Sequence, residues 1–344
     1  MISLIKELTS VYGPSSREEM IREVIEKRIS GKVDEIYTDT LGNLVAVKKG
    51  TETGADTDNG RSKSKSKSKR IMLAAHMDEI GLVATYIDEK GFIRYSNIGG
   101  VSPFFSLGQN VRFQNGITGC VFYEEKLEEF KDLKHNRMYI DIGTKSREET
   151  EKLITVGDIA VFVGDTVEQN EKFISKALDD RIGCAILIEL IECLDKVQNE
   201  VIFVFTVQEE VGIRGAGTAA YGLMPDIAVA IDVTDTGDTP ECKPLSIDLG
   251  KGPTVMIKDG YTISHPKVKD ALIKCAEEKS IPYQLEVLSR GGNDAGAIHK
   301  TAGGIPAGGV SIPCRYMHSP CEMVDKNDVE NAVKLLKAFV TASF

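Results

Sequence analysis

Three mostly apolar runs in this chain each lead into side chains that a buried strand has no structural use for. Residues 71–75 run into His76 and Asp78, residues 201–207 into Glu209 and Glu210, and residues 227–231 into Asp232. Short apolar runs bounded by polar residues read as strands buried on both faces, as in a parallel sheet covered by helices. Ligands of such open sheets gather at the carboxyl ends of the strands, where these acids and this imidazole stand. The chain is therefore expected to fold as an α/β protein with its chemistry along one mouth of the sheet.

The intervening segments support that layout. Ser16 with Glu19 reads as a capping box for a helix over residues 16–30, closed at Gly31. Residues 33–38 and 43–48 read as a hairpin around Thr40, Leu41 and Gly42. Helices are expected over 178–196, from His265-Pro266 to about Glu278, and from Asp325 to about Ala342. Between about 85 and 165 the pattern changes to short strand candidates broken by glycines (92–95, 110–113, 117–122, 138–142, 158–163), an all-β unit set into a different fold. The expectation is a mainly parallel central sheet flanked by helices, with an inserted small β-rich domain. The stretch 51–69 has a single apolar residue, Ala55, and a Ser-Lys alternation, so it reads as a disordered loop tip.

Several functional classes fall away on composition. The longest apolar stretches are about seven residues, against the roughly 20 that span a bilayer, and the first residues lack the apolar core of a secretory signal. The seven cysteines are scattered with no CxxC pair, which points to neither a disulfide framework nor a thiolate zinc site and makes a cytoplasmic location the expectation. The formal net charge is −10, although residues 61–70 alone carry six positive charges, so the rest of the chain stands near −16. A body this acidic repels nucleic acid and anionic membranes.

The candidate site residues each have a bland reading when taken alone. Asp179 and Asp180 open a helix, where a carboxylate also serves as a cap. Glu209 and Glu210 could end a solvated strand, and Asp78, two residues from His76, could simply support that imidazole. As a set, His76, Asp179, Glu210, Asp232 and His318, with Glu209 beside them, offer two imidazoles and several carboxylates. That mixture suits zinc, cobalt or manganese. Two divalent ions about 3.5 to 4 Å apart need a shared anionic bridge, but spacing alone does not pair these ligands. His135, His265 and His299 read as structural or solvated, and the loop 290–294 lacks the spacing of a nucleotide phosphate cradle.

Five blocks in order along the chain carry a family resemblance. They are Leu73-Ala74-Ala75-His76-Met77-Asp78-Glu79-Ile80-Gly81; Lys176-Ala177-Leu178-Asp179-Asp180-Arg181-Ile182-Gly183; Thr206-Val207-Gln208-Glu209-Glu210-Val211-Gly212 with Arg214-Gly215-Ala216; Ile231-Asp232; and Arg315-Tyr316-Met317-His318-Ser319-Pro320. Together they resemble the M42 family of dinuclear metallo-aminopeptidases, over nearly the whole chain. The resemblance implies a zinc-exopeptidase-like fold in which His76 and Asp232 hold one metal ion, Glu210 and His318 the other, and Asp179 bridges both. It implies Glu209 as general base and Asp78 as the carboxylate behind His76. The cofactor implied is two divalent ions per subunit, zinc or cobalt first and manganese next. The substrates implied are short peptides. It further implies a catalytic domain of residues 1–78 and 168–344, a dimerisation domain of 79–167, and assembly of dimers into tetrahedral dodecamers. Asn293 departs from the pattern, standing where the family often has Thr.

Three other readings compete. A deacylase or carboxypeptidase could use the same scaffold. A glycoside hydrolase needs carboxylates that flank the bond at about 5 to 9.5 Å and no metal, which adjacent Glu209 and Glu210 fit poorly, and the chain has no Trp for stacking on sugar rings. A non-catalytic metal-binding assembly would not need Glu209.

Overall fold

The computed structural model describes residues 1–51, 68–127 and 129–344. Among these, eleven strands form one sheet and six form a closed barrel. The sheet strands are β1 (Glu35–Thr38), β2 (Leu44–Lys48), β3 (Arg70–His76), and, after the barrel strands β4 to β9, β10 (Val167–Gln169), β11 (Lys172–Ser175), β12 (Glu200–Thr206), β13 (Ile227–Thr234), β14 (Thr254–Lys258), β15 (Gln284–Val287), β16 (Ala307–Arg315) and β17 (Glu322–Asp325).

The three apolar runs become β3, β12 and β13, and with β16 they form the parallel centre in the order β12-β3-β13-β16. Thr206 pairs with His76 and Asp232 with Ser311, so the carboxyl ends of these strands fall level. Alternate residues feed two cores. Ile71, Leu73, Phe203, Val229 and Val310 pack under the helices Glu19–Ile29, Leu178–Cys193, Pro266–Glu278 and Lys326–Val340. On the other face Met72, Ala74, Ile202, Val204 and Ala228 pack against Ala216, Ala219 and Ala220 of the helix Arg214–Leu223. Each large aliphatic or aromatic side chain buried in this way contributes roughly 1.5–3 kcal/mol.

The expectation of a mainly parallel sheet holds only for that centre. The flanks β1-β2-β12 and β16-β17-β11-β10 are antiparallel, and the sheet as a whole is mixed. The short turns after β1 and β10 permit only hairpins, while the antiparallel pairs β2-β12 and β11-β17 join strands distant in the chain. The six barrel strands run β4 (Gly81–Ile87), β5 (Ile93–Ile98), β6 (Asn110–Phe113), β7 (Thr118–Tyr123), β8 (Met138–Asp141) and β9 (Ile159–Phe162). They close in the order β4-β5-β8-β7-β6-β9 around their own core of Leu82, Ile93, Val111, Val121, Ile140 and Phe162. The segment expected to be a disordered tip lies mostly outside the described residues. Its ends, at Thr51, Ser68 and Lys69, all bond to residues 197–199.

Two capping expectations change. Ser16 does not cap the second helix, which begins at Glu19; its φ is +72° and its side chain makes no cap bond. Instead the Glu18 carboxylate accepts the Ser16 N–H at 2.8 Å and the Gln208 N–H at 3.1 Å, tying the helix start to the mouth of β12. At the helix Leu178–Cys193 the two aspartates divide the labour: Asp180 accepts the Gly183 N–H as a cap does, while Asp179 has non-helical backbone angles and its side chain is free for other partners.

Glu18 is 4% exposed, and burial, aided by the charge of Asp78, pushes its carboxyl up to about 7. A folded pKa above the unfolded value gives a contribution present at low pH and lost as pH rises through about 7. Glu18→Gln keeps one amide oxygen to accept both N–H groups and removes the charge. Urea unfolding at pH 8 should show a gain of roughly 1–3 kcal/mol over wild type, shrinking as the pH falls to 5; an equal effect at both pH values would count against the buried charge.

Candidate metal centre

His76 is the last residue of β3 and Asp232 lies near the end of β13, so adjacent parallel strands deliver both to one spot. Asp179 joins them from the start of its helix, with Oδ1 3.0 Å from His76 Nε2; Asp232 Oδ1 is 3.9 Å from the same nitrogen. The other oxygen of Asp179, Oδ2, lies 3.3 Å from His318 Nε2, which is also 3.3 Å from Glu210 Oε2. Among the described residues two groups could hold a metal ion, His76-Asp179-Asp232 and Asp179-Glu210-His318, and they share Asp179. Glu209 belongs to neither group, but it lines the same cavity of about 400 Å³ as Asp179, Glu210, Asp232 and His318.

The layer behind these side chains is built largely from further carboxylates that accept backbone N–H bonds. Asp78 takes the Glu209 N–H on Oδ1 at 3.0 Å, and on Oδ2 the Glu210 N–H at 3.2 Å and the Ser15 hydroxyl at 2.6 Å. With Glu18 on Gln208, three consecutive amides are held. The support of His76 differs in detail from a simple His-carboxylate pair. Its Nδ1 is 3.1 Å from the Asp78 carbonyl oxygen and 3.4 Å from Oδ1; with the proton on Nδ1, Nε2 is left to face Asp179 as a ligand nitrogen. Asp180 Oδ2 accepts the His76 N–H at 3.2 Å, and Glu322 accepts the Asp179 and His318 N–H groups at 3.0 and 2.9 Å. Ala177, Gln208, Tyr316 and His318 all have left-handed backbone angles without being glycine. Such strain costs of order 1–3 kcal/mol per residue and persists only where surrounding bonds enforce it.

Electrostatics shows what this donor set wants. Burial pushes the Glu210 carboxyl up to about 8, with the Asp179 charge adding to it. Burial likewise holds Asp232 and Glu209 well above the usual carboxylate range. At His318 burial acts downward, yet Asp179 and Glu210 win and lift the imidazole to about 10. Asp179 goes the other way, held low against its burial by the hydrogen bonds of His318 and His76; three carboxylates and both imidazoles shifted toward protonation mark a site with surplus negative charge. Among the described residues the buried lysine and arginine, Lys176 and Arg181, pair with Glu79 and not with the ligand groups. Two imidazoles and three carboxylates, one of them the shared Asp179, fit divalent ions that take nitrogen and oxygen ligands.

Residues that sequence reasoning did not single out complete the site. Gly99 and Gly100, at the end of β5, bring the barrel onto the metal-ligand groups. A Cβ on Gly100 would stand 2.4 Å from His318 Nδ1, and one on Gly99, whose φ is +76°, 2.7 Å from Glu210 Oε2. The Gly-Gly pair after a strand pattern was the available signal. Glu18 and Glu322 had none, because what they do depends on which backbone amides arrive beside them. His135, His265 and His299 lie outside both groups, bonded respectively to the Val101 carbonyl, the Lys267 N–H and the Ala295 carbonyl. Asn293 lines the cavity and accepts the Ala295 N–H.

The M42 glutamyl aminopeptidase family matches residues 59–335. The chain belongs to the M42 peptidase family. It is an aminopeptidase, and its relatives match it over most of their length and its own. A chain of Acetivibrio thermocellus with a provisional aminopeptidase name is 54% identical over 336 residues, covering 98% of this chain and 97% of that one. An aminopeptidase from the archaeon Desulfurococcus kamchatkensis superposes with a TM-score of 0.92 at 41% identity, covering 99% and 95% of the two chains. A Pyrococcus horikoshii TET1 peptidase that can assemble into a tetrahedron or a large octahedral shell gives 0.85 at 33% identity, with 98% of each chain covered. No helix among the described residues of this M42 chain is long and apolar enough to cross a membrane.

Gly100→Ala tests the approach of the barrel. The added methyl should displace the His318 imidazole and lower kcat/KM at least about tenfold, with unfolding free energy changed by less than about 1 kcal/mol. Full activity in the alanine variant would mean the barrel loop does not constrain the site.

Proposed function

We propose that this aminopeptidase is metal-dependent and dinuclear, and that it removes the N-terminal residue of short peptides. The observation that carries this reading is Asp179, whose two oxygens face two different imidazoles at 3.0 and 3.3 Å, as a carboxylate bridging two ions does. In this assignment His76 and Asp232 hold one ion, Glu210 and His318 the other, and Asp179 both. Zinc or cobalt heads the candidates, followed by manganese, since imidazole and carboxylate ligands suit all three. When bound, such ions supply Lewis acidity to water and to the scissile carbonyl.

The protein's own groups then do the rest. Glu209 takes a proton from the attacking water and delivers it to the leaving amine nitrogen. Glu209 lines the cavity beside Asp179, Glu210, Asp232 and His318 without belonging to either ligand group, which leaves its carboxylate available for that transfer. Asp78 aims Glu209 and Glu210 through their amides.

The same reading extends to assembly. We assign residues 1–78 and 168–344 to the catalytic domain and 79–167 to a dimerisation domain, with dimers building a tetrahedral dodecamer. Phe104, Phe105 and Phe130 support it, being 45–57% exposed on the barrel unit, with the Phe104 and Phe130 rings in contact at 5.4 Å. A shell-forming relative of similar fold supports it as well. The seven unpaired cysteines support a cytoplasmic location.

The test is chromophore release from Leu, Glu, Lys and Ala p-nitroanilides by chelated protein, before and after addition of Zn²⁺, Co²⁺ or Mn²⁺, with an N-acetylated control. Activity restored by metal on free-amine substrates alone is expected; chromophore release from the blocked control would refute the exopeptidase reading, and silence across the panel with metal bound would favour a deacylase. Glu209→Gln should keep fold and metal content while turnover falls by about two to four orders of magnitude. Near wild-type kcat in that variant would remove Glu209 from the role of base.

A further inference from the structure

The two metal-ligand groups are supported in different ways. His76 and Asp232 stand at or near the ends of the neighbouring strands β3 and β13, each two residues past their last pair, Ala74 with Ala230, and each is paired on its other side, to Thr206 and Ser311, so the sheet frames their separation. His318 and Asp179 have no such frame. His318 sits in a turn between β16 and β17 with a φ of +59°. Asp179 follows the left-handed Ala177 and has non-helical angles of its own. The two segments meet through one side chain. Glu322, the first residue of β17 and 2% exposed, accepts the His318 N–H on Oε1 at 2.9 Å and the Asp179 N–H on Oε2 at 3.0 Å.

We infer that Glu322 is a positioning residue that sets the spacing between Asp179 and His318 and thereby builds the half of the centre that these two share with Glu210. The inference rests on the two-ion reading above. Both oxygens of the carboxylate are used, each on the amide of a ligand-bearing residue from a separate segment. The side chains of those residues face each other at 3.3 Å. Fixing two amides to one rigid, planar group fixes that gap. β17 is itself anchored on both sides, since Ser175 pairs with Glu322 and Cys314 with Val324, so the clamp is held by an interior strand of the sheet.

Two substitutions separate positioning from simple charge. Glu322→Gln puts an NH₂ donor against one of the two amides and breaks that half of the clamp. Glu322→Asp keeps the negative charge but withdraws the oxygens by one methylene. The measurement is Co²⁺ binding to apo protein by calorimetry, followed by the visible absorption of the bound ions, with the unfolding temperature of the apo protein alongside. Wild type should take up two equivalents. Both variants should bind one equivalent within about threefold of wild type and the other about 10–100-fold more weakly, with the spectrum of the tight ion retained and the apo unfolding temperature little changed. Wild-type affinity for both ions in the variants would overturn the inference, and so would equal weakening of both, which marks a general charge or folding effect. If Glu322→Gln does not fold, Glu322→Asp decides by the same criteria. Uptake of fewer than two equivalents by wild type would instead refute the two-ion reading, and the inference falls with it.

Discussion

Concentrated negative charge away from water is the constraint around which this molecule is organised. Glu209, Glu210, Asp179 and Asp232 converge on two imidazoles, and Asp78, Asp180 and Glu322 stand directly behind them. Each member of the rear layer takes hydrogen bonds from backbone amides in place of a paired cation. An amide dipole satisfies a carboxylate without cancelling its charge. The site therefore keeps its negative charge, as the proposed divalent ions would require, while the amides fix the side chains that would hold them. A lysine or arginine in the same places would give stability at the expense of that charge.

The buried cations that do occur are kept apart from the ligands. Lys176 and Arg181 both contact Glu79, and Arg181 also donates to the carbonyls of Leu8, Val11 and Gly13. Glu79 opens the crossing into the barrel, Lys176 and Arg181 bracket Asp179, and residues 8–13 lead into the Ser15 and Glu18 contacts. One charged knot thus ties the N-terminal segment, the base of the barrel and the start of the Asp179 helix together. Such a network is costly to break, because removing one partner strands the others without water. Near the site the backbone takes left-handed angles at Ala177, Gln208, Tyr316 and His318, a conformation uncommon outside glycine.

The barrel belongs to the site as much as to any assembly. Its strands close on themselves, leaving the loop after β5 free to reach back, and Gly99 and Gly100 let that loop touch Glu210 and His318 where any side chain would collide. The sheet supplies the mouth, and the inserted unit supplies part of the wall.

Residue order along the chain determined the broad plan. The runs before His76, Glu209 and Asp232 are apolar on both faces, and only strands in the middle of a covered sheet satisfy that pattern; glycine-broken alternation marked the barrel, and polar side chains at strand ends marked the mouth. Those signals are local, written in the spacing of neighbouring residues. What the tertiary structure decided is non-local. Whether Asp179 or Asp180 caps its helix, whether Ser16 or Glu18 closes the helix start, and which amides reach Glu322 depend on segments that are distant along the chain: residue 18 beside 208, residue 179 beside 322, residue 100 beside 318. The antiparallel flanks likewise depend on which distant strands meet, β2 with β12 and β11 with β17. A carboxylate carries the same charge in every sequence context, and only the folded arrangement of donors around it decides whether it caps, clamps or binds.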